Sequence, residues 1–135
     1  MKTKERIVDV AIRLFNEKFT KSVTTNHIAA AAGISPGNLY YHFSNKEEII
    51  RAVFSRMVDF IEGGASYGSG CRVSPSLSSL EEFFQKVLEL HWEYRFFFRE
   101  LNSLLNSDRE LKSGFNAMQK DRLKEIEGSI RAFID

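Results

Sequence analysis

The amino-acid sequence predicts an all-α fold, on three observations. Apolar residues recur at i, i+3, i+4 and i+7 through most of the chain, the spacing of helices that bury one face. No stretch alternates apolar and polar residues as a half-buried strand would, and no internal repeat is visible. Ala32-Gly33-Ile34-Ser35-Pro36 carries a helix stop and a helix start back to back. Gly33 can take the left-handed conformation past a helix end without a Cβ clash. Ser35 supplies an N-cap oxygen, and Pro36 fills the first helical position, where its missing N–H is no loss. Two helices joined so tightly form a helix-turn-helix, a motif whose second helix suits the major groove of DNA.

The first helix is predicted from a Thr3 cap to about Lys18, with Ile7, Ala11, Leu14 and Phe15 on one face and Val8 and Ile12 widening it. Phe19 and Val23 are expected to close the small core through the loop that follows. The second helix starts at Thr25 and buries Ile28 and Ala32, and its alanines permit close approach of a neighbour. Leu39 and Phe43 turn the third helix, Pro36 to Phe43, onto the same core, with Ile34 dropped between the two. Ser44-Asn45-Lys46-Glu47 reads as a capping box, serine first and glutamate three residues on, opening a long fourth helix to about Glu62. Ile49, Ile50, Val53, Phe54, Met57, Val58 and Ile61 leave that helix apolar on several sides, so it should pack on one lobe at its start and another at its end.

Gly63 to Ser79 is rich in glycine and serine and reads as loop. Ser78 or Ser79 then caps a fifth helix with Phe83, Phe84, Val87, Leu88, His91 and Trp92 on its apolar side. Tyr94 to Asn106 reads as a sixth, with Phe97, Phe98, Leu101, Leu104 and Leu105 inward. A last helix runs from about Asp108 and carries Leu111, Phe115, Met118, Leu123, Ile126, Ile130, Phe133 and Ile134.

Composition narrows the function classes. With 43% apolar and 27% charged residues the chain is neither disordered nor a membrane protein in character. Its apolar runs fall short of the ~18 residues that span a bilayer. The charged start Met1-Lys2-Thr3-Lys4-Glu5-Arg6 leads into an amphipathic helix and does not read as a signal peptide. A cytoplasmic protein without a membrane partner is expected. The single Cys71 excludes an internal disulfide. His27, His42 and His91 lack metal-ligand spacing, and Glu47-Glu48 and Glu81-Glu82 are accounted for as helix starts. No metal, cofactor or enzymatic activity is therefore expected. The net charge of +1 hides an asymmetry: residues 1–56 hold nine Lys/Arg against five Asp/Glu, a net of +4, and the remainder is acidic. A basic lobe beside an acidic one suits a protein that meets phosphate with one end.

Thr24-Thr25…Ile28-Ala29…Ala32-Gly33-Ile34-Ser35…Leu39-Tyr40-Tyr41-His42-Phe43…Asn45-Lys46-Glu47 resembles the DNA-binding domain of the TetR family of bacterial transcriptional regulators, over roughly residues 3 to 56. The extended order is far more specific than a bare helix-turn-helix pattern. Tyr94-Arg95-Phe96-Phe97-Phe98-Arg99-Glu100-Leu101…Leu105…Asp108…Leu111 resembles one subgroup of the same family. The resemblance implies a helix-turn-helix DNA-binding domain over 1–47 and a helical ligand-sensing and dimerisation domain over 48–135, joined by the fourth helix. It implies a repressor that binds a palindromic operator in double-stranded DNA as a homodimer and answers a small apolar or aromatic effector. Members of the family generally continue with two more helices that form the dimer's four-helix interface. The chain is expected to lack them, ending as it does at Asp135 within a helical pattern.

Within the recognition helix, Pro36, Gly37, Asn38, Tyr40, Tyr41 and His42 are left to face outward once Leu39 and Phe43 face in. Asn38 sits near the helix start, the end that enters the groove, and asparagine can pair bidentately with adenine N6/N7. Gly37 brings backbone close to DNA at a cost of roughly 1 kcal/mol in helix stability. Tyr41 can instead pack inward. The resemblance assigns Tyr40, His42, Lys46 and Thr25 to phosphates, with Asn26 beside Thr25 at the start of the second helix. Simpler readings stand beside these: half-buried tyrosines, a surface histidine, a solvated lysine at a helix start.

In the second lobe Phe84, Leu88, His91, Trp92, Tyr94, Phe97, Leu101 and Phe115 are candidates for an apolar effector pocket. The competing reading of the same aromatics is ordinary helix-bundle core. The alternative function is a helical protein-interaction adaptor that keeps the fold without reading DNA.

Overall fold

A computed structural model describes residues 1–64 and 76–134. Most of the predicted loop 63–79, with Cys71, lies outside the described residues, as does the side chain of Phe133. Among the described residues the chain is helical throughout: α1 Thr3–Glu17, a 3-10 turn Thr20–Ser22, α2 Thr25–Ala32, α3 Pro36–His42, α4 Lys46–Gly64, α5 Leu77–Glu93, α6 Arg95–Arg99, α7 Leu101–Ser107 and α8 Arg109–Ile134.

The turn between α2 and α3 forms as its residues dictate. Gly33 sits at φ 68°, and the Ile34 N–H reaches back to the Ala29 carbonyl at 3.0 Å, closing the helix end with the bond expected of a left-handed cap. Ser35 Oγ accepts from the Asn38 N–H at 3.1 Å, with Pro36 at the first position of α3. Ile28 and Ala29 of α2 and Leu39 and Phe43 at α3 are buried in one cluster with Ile7, Ala11 and Phe15 of α1, and Ala32 is buried as well.

Several boundaries differ from expectation, each for a local reason. Thr3 is the first residue of α1, not its cap; Lys2 holds that place without a side-chain bond. Phe19 is 60% exposed and does not close the core; the Arg99 guanidinium lies over its ring, 4.9 Å from the centroid, while Val23 alone points in. The cap of α4 shifts by one residue. Asn45 Oδ1 accepts from the Glu48 N–H at 2.9 Å, and Glu48 accepts from the Ser44 N–H at 2.8 Å. The fifth helix starts earlier than Ser79, through a capping box of Ser76 and Ser79. The predicted helix 94–106 divides at Glu100, whose backbone (φ −106°, ψ 16°) leaves the helical range between α6 and α7 and whose carboxylate accepts from the Thr20 hydroxyl at 2.9 Å.

One apolar core runs through both lobes, from Ile7 and Phe15 through Val53, Phe54 and Met57 of α4 to Phe96, Phe97, Leu111 and Phe115. Phe54 stacks on Phe97 at 5.6 Å, and Phe15 meets Phe96 at 5.1 Å. Gly114 lets α8 pass close to α4, since a Cβ there would lie 3.2 Å from the Phe54 ring. The far half of α8 does not join this core: Leu123, Ile126, Ile130 and Ile134 are exposed. Phe84, Leu88 and Trp92 on α5 are exposed as well, contrary to the apolar face expected there, and Leu90 is the buried residue of that helix. No helix among the described residues is long and apolar enough to cross a membrane.

Polar contacts tie α6 to the end of α1. The Asn16 amide donates to the Glu93 carbonyl at 2.8 Å and accepts from the Phe96 N–H at 3.1 Å, capping the α5–α6 junction from outside. Arg99 returns the service, donating to the Phe15 and Lys18 carbonyls at 2.9 and 3.1 Å at the C-terminus of α1, where carbonyls lack helical partners. On the other side Arg51 of α4 grips Asp108, Nε to Oδ2 at 2.7 Å, and reaches Glu110 at 2.8 Å. Asp108 Oδ1 also accepts from the Leu111 N–H at 3.1 Å and so caps α8.

Candidate nucleic-acid interface

The outward face of α3 and the start of α2 form one surface. Pro36, Gly37, Asn38 and Tyr40 are exposed, and Tyr41 at 84% exposure faces solvent, so its inward packing is ruled out. Thr25 Oγ1 and the Tyr40 hydroxyl lie 3.0 Å apart, a hydrogen bond that joins the two helices. The two hydroxyls assigned to phosphate by resemblance therefore stand together. His42 is half-buried and edge-on to Tyr41, ring centroids 5.1 Å apart, which limits how far it can turn outward. Asn26 is exposed beside Thr25.

Gly37 has no packing reason to be glycine. A Cβ built there meets nothing closer than Ser35 Oγ at 4.0 Å. Without a side chain there, the backbone of the first turn of α3 is open on its outer face. Asn38 spends its backbone N–H on the Ser35 cap and leaves its amide on the exposed first turn.

Lys46 stands differently from the other candidates. Its ammonium donates to the Thr20 carbonyl at 2.7 Å and the Val23 carbonyl at 3.2 Å, holding the loop that leads into α2. Two of its three N–H donors thus have intramolecular partners. The lysine assigned to phosphate by resemblance thus also ties the loop before α2 to the start of α4.

His27 is exposed at the same helix start and lies outside the residues that the sequence singles out for this face. Thr24 and His27 form a reciprocal capping box at the start of α2, side chain to backbone in both directions. The signal was present in the spacing Thr24-x-x-His27, where a Glu or Gln would have been read at once. Asn45-x-x-Glu48 was missed likewise.

The proposed effector residues do not form one group, although Phe97 and Phe115 meet with ring centroids 6.1 Å apart. Tyr94, Phe97 and Phe115 are buried core, Leu101 is half-buried, and Phe84, Leu88, His91 and Trp92 lie on the surface. Trp92 is 70% exposed with Arg95 stacked 4.3 Å from its ring. His91 stacks on Phe98 at 4.1 Å. An open cleft of about 470 Å³ lies elsewhere, between α4 and α8, lined by the apolar Phe54, Val58, Leu111 and Met118 and by charged side chains of both signs, Arg51 and Arg122 among five carboxylates.

A family model for bacterial regulatory proteins of the tetR family matches residues 7–53, and a bacterial transcriptional repressor model of the same family matches residues 68–135. The chain is 40% identical over 62 residues to the biofilm operon icaADBC HTH-type negative transcriptional regulator IcaR of Staphylococcus epidermidis, covering 43% of this chain and 34% of that protein. It is 26% identical over 133 residues to the IcaR of Staphylococcus aureus strain Newman, covering 98% and 69%. It is 36% identical over 52 residues to the HTH-type transcriptional regulator AcrR of Shigella flexneri, covering 38% and 24%. A crystallised TetR-family transcriptional regulator from Marinobacter aquaeolei VT8 superposes with a TM-score of 0.90 at 35% identity, over 98% of this chain and 64% of that one. The chain thus spans less than two thirds of several of these relatives.

Proposed function

Since this chain belongs to the TetR family of bacterial regulatory proteins, we propose that it is a DNA-binding transcriptional regulator, acting as a repressor in the bacterial cytoplasm. The observation that carries the reading is the exposed α3 face, with Asn38 and Tyr41 outward beside the Thr25–Tyr40 pair, on a unit whose inner face is fully buried. Residues 1–47 form the reading domain and residues 48–135 the regulatory domain, with α4 belonging to the cores of both. Two copies in a dimer place their α3 helices in successive major grooves, about 34 Å apart, on a palindromic operator. Asn38 reads a base edge, and Thr25, Asn26 and Tyr40 hold phosphates.

A small apolar or aromatic effector fits the α4–α8 cleft better than the residues expected from the sequence, because that cleft borders the helix that carries the reading lobe. It shifts DNA affinity only by as much as it prefers one of two conformations.

Selection from a random duplex library with the full-length protein tests the reading. A palindromic site should emerge, with log affinity falling steeply against log salt as counterions are released. Binding without sequence preference, or no binding at all, would instead favour a protein-interaction adaptor.

A further inference from the structure

Histidine is an unusual choice for the third residue of α2, and the geometry shows what it adds. His27 N–H donates to Thr24 Oγ1 at 3.1 Å, while the Thr24 N–H donates to His27 Nδ1 at 3.3 Å. A glutamate or glutamine normally closes this box. An Nδ1 that accepts carries no proton, so the neutral ring bears its N–H on Nε2. Side chains of a first helical turn lean toward the N-terminus, and the bond to Thr24 draws the ring further over that end. His27 is exposed there, two residues from Thr25 and its bond to Tyr40.

We propose that His27 is a further DNA-contacting residue, its Nε2–H donating to a backbone phosphate at the start of α2. The proposal rests on the DNA-binding reading above. Glutamate at this position would satisfy the Thr24 N–H equally well, yet set a carboxylate against the phosphate. Imidazole completes the cap with one nitrogen and offers a donor with the other. Glutamine can do the same with its two amide atoms.

Three variants of the full chain separate this role from capping: His27→Gln, His27→Glu, and Ala31→Glu as a control for added charge on the exposed side of α2. Affinity is measured for the duplex recovered by selection and for a random duplex, alongside the melting temperature. His27→Gln should bind within about twofold of wild type and His27→Glu about tenfold or more weaker on both duplexes, the range of a lost charged hydrogen bond. Melting temperatures should match wild type in both, since each keeps the cap. In spectra of the 15N-histidine-labelled wild type, the His27 Nε2–H signal should gain protection from solvent exchange when the selected duplex is added. The proposal is overturned if His27→Glu binds like wild type, if Ala31→Glu loses as much as His27→Glu, or if Nε2–H stays unprotected on DNA. Wild type failing to bind any duplex would overturn the DNA-binding reading instead.

Discussion

Asn38 and Lys46 lie close in sequence but occupy different environments, and their substitutions should behave differently. Asn38→Ala removes an exposed amide that supports nothing in the core, so stability should hold. Operator affinity should fall by roughly 1–3 kcal/mol, with preference relaxed at one symmetric pair of base positions and random DNA unaffected. Lys46→Ala leaves the Thr20 and Val23 carbonyls without their ammonium donor. A loss of about 1–3 kcal/mol in chemical denaturation is expected, within the range for hydrogen bonds to charged groups. A drop of about one in the salt slope with stability intact would show the ammonium leaving the loop for a phosphate. Gly37→Ala should act in opposite directions on fold and function. Alanine favours the helix by up to about 1 kcal/mol, and its Cβ has room inside. On the proposed interface its methyl would stand between the helix backbone and DNA, so a melting temperature that rises while operator binding falls is the expected result.

Among the elements, the junctions carry most of the information about coupling. Asp108 ends α7, caps α8 and is held by Arg51 of α4, so three helices meet at one carboxylate. The hydrogen bond from Arg51 holds its pKa below the usual aspartate range, with backbone N–H groups of Leu111 and Glu110 adding to the effect against the opposing cost of burial. A carboxyl with a lowered folded pKa binds protons more readily in the unfolded chain. Its stabilisation is complete above the unfolded value near 3.9 and is lost as pH falls below it. Asp108→Asn keeps a capping oxygen but gives up the charge pair. It should lower stability by about 1–2 kcal/mol at neutral pH, given that Arg51 is a third exposed and retains Glu110. The gap from wild type should shrink in melts below about pH 4.

For the whole molecule, the continuous core predicts that the N-terminal and C-terminal lobes unfold together. Phe97 touches Phe54 of α4 as well as Phe96, which packs on Phe15 of α1. Phe97→Ala should cost about 3–5 kcal/mol. Helical content and Trp92 fluorescence should lose their structure in one coincident transition, in the variant as in the wild type. Two separated transitions would show that α4 joins two independent cores.

How much of this was legible depended on how local the cause was. Gly33, Ser35 and Pro36 specified the helix-turn-helix by themselves, because caps and left-handed turns are decided within a few residues of backbone. The stripe on α1 and the apolar sides of α4 were legible for the same reason: period 3.6 shows which face is buried. The period does not say what covers that face. Phe84, Leu88 and Trp92 have the same spacing as core residues but are exposed, while Phe96, four residues further along the same spacing, is fully buried. Nor could any local rule bring Arg99 to the end of α1, Glu100 to Thr20 or Arg51 to Asp108, since each pair is brought together only by the packing of helices distant in the chain. The sequence by itself determined the helix-turn-helix unit and its outward residues; the contacts that bind that unit to the C-terminal lobe, and those of Lys46 within it, were decided by the tertiary structure, because long-range partners are chosen by which buried surfaces fit.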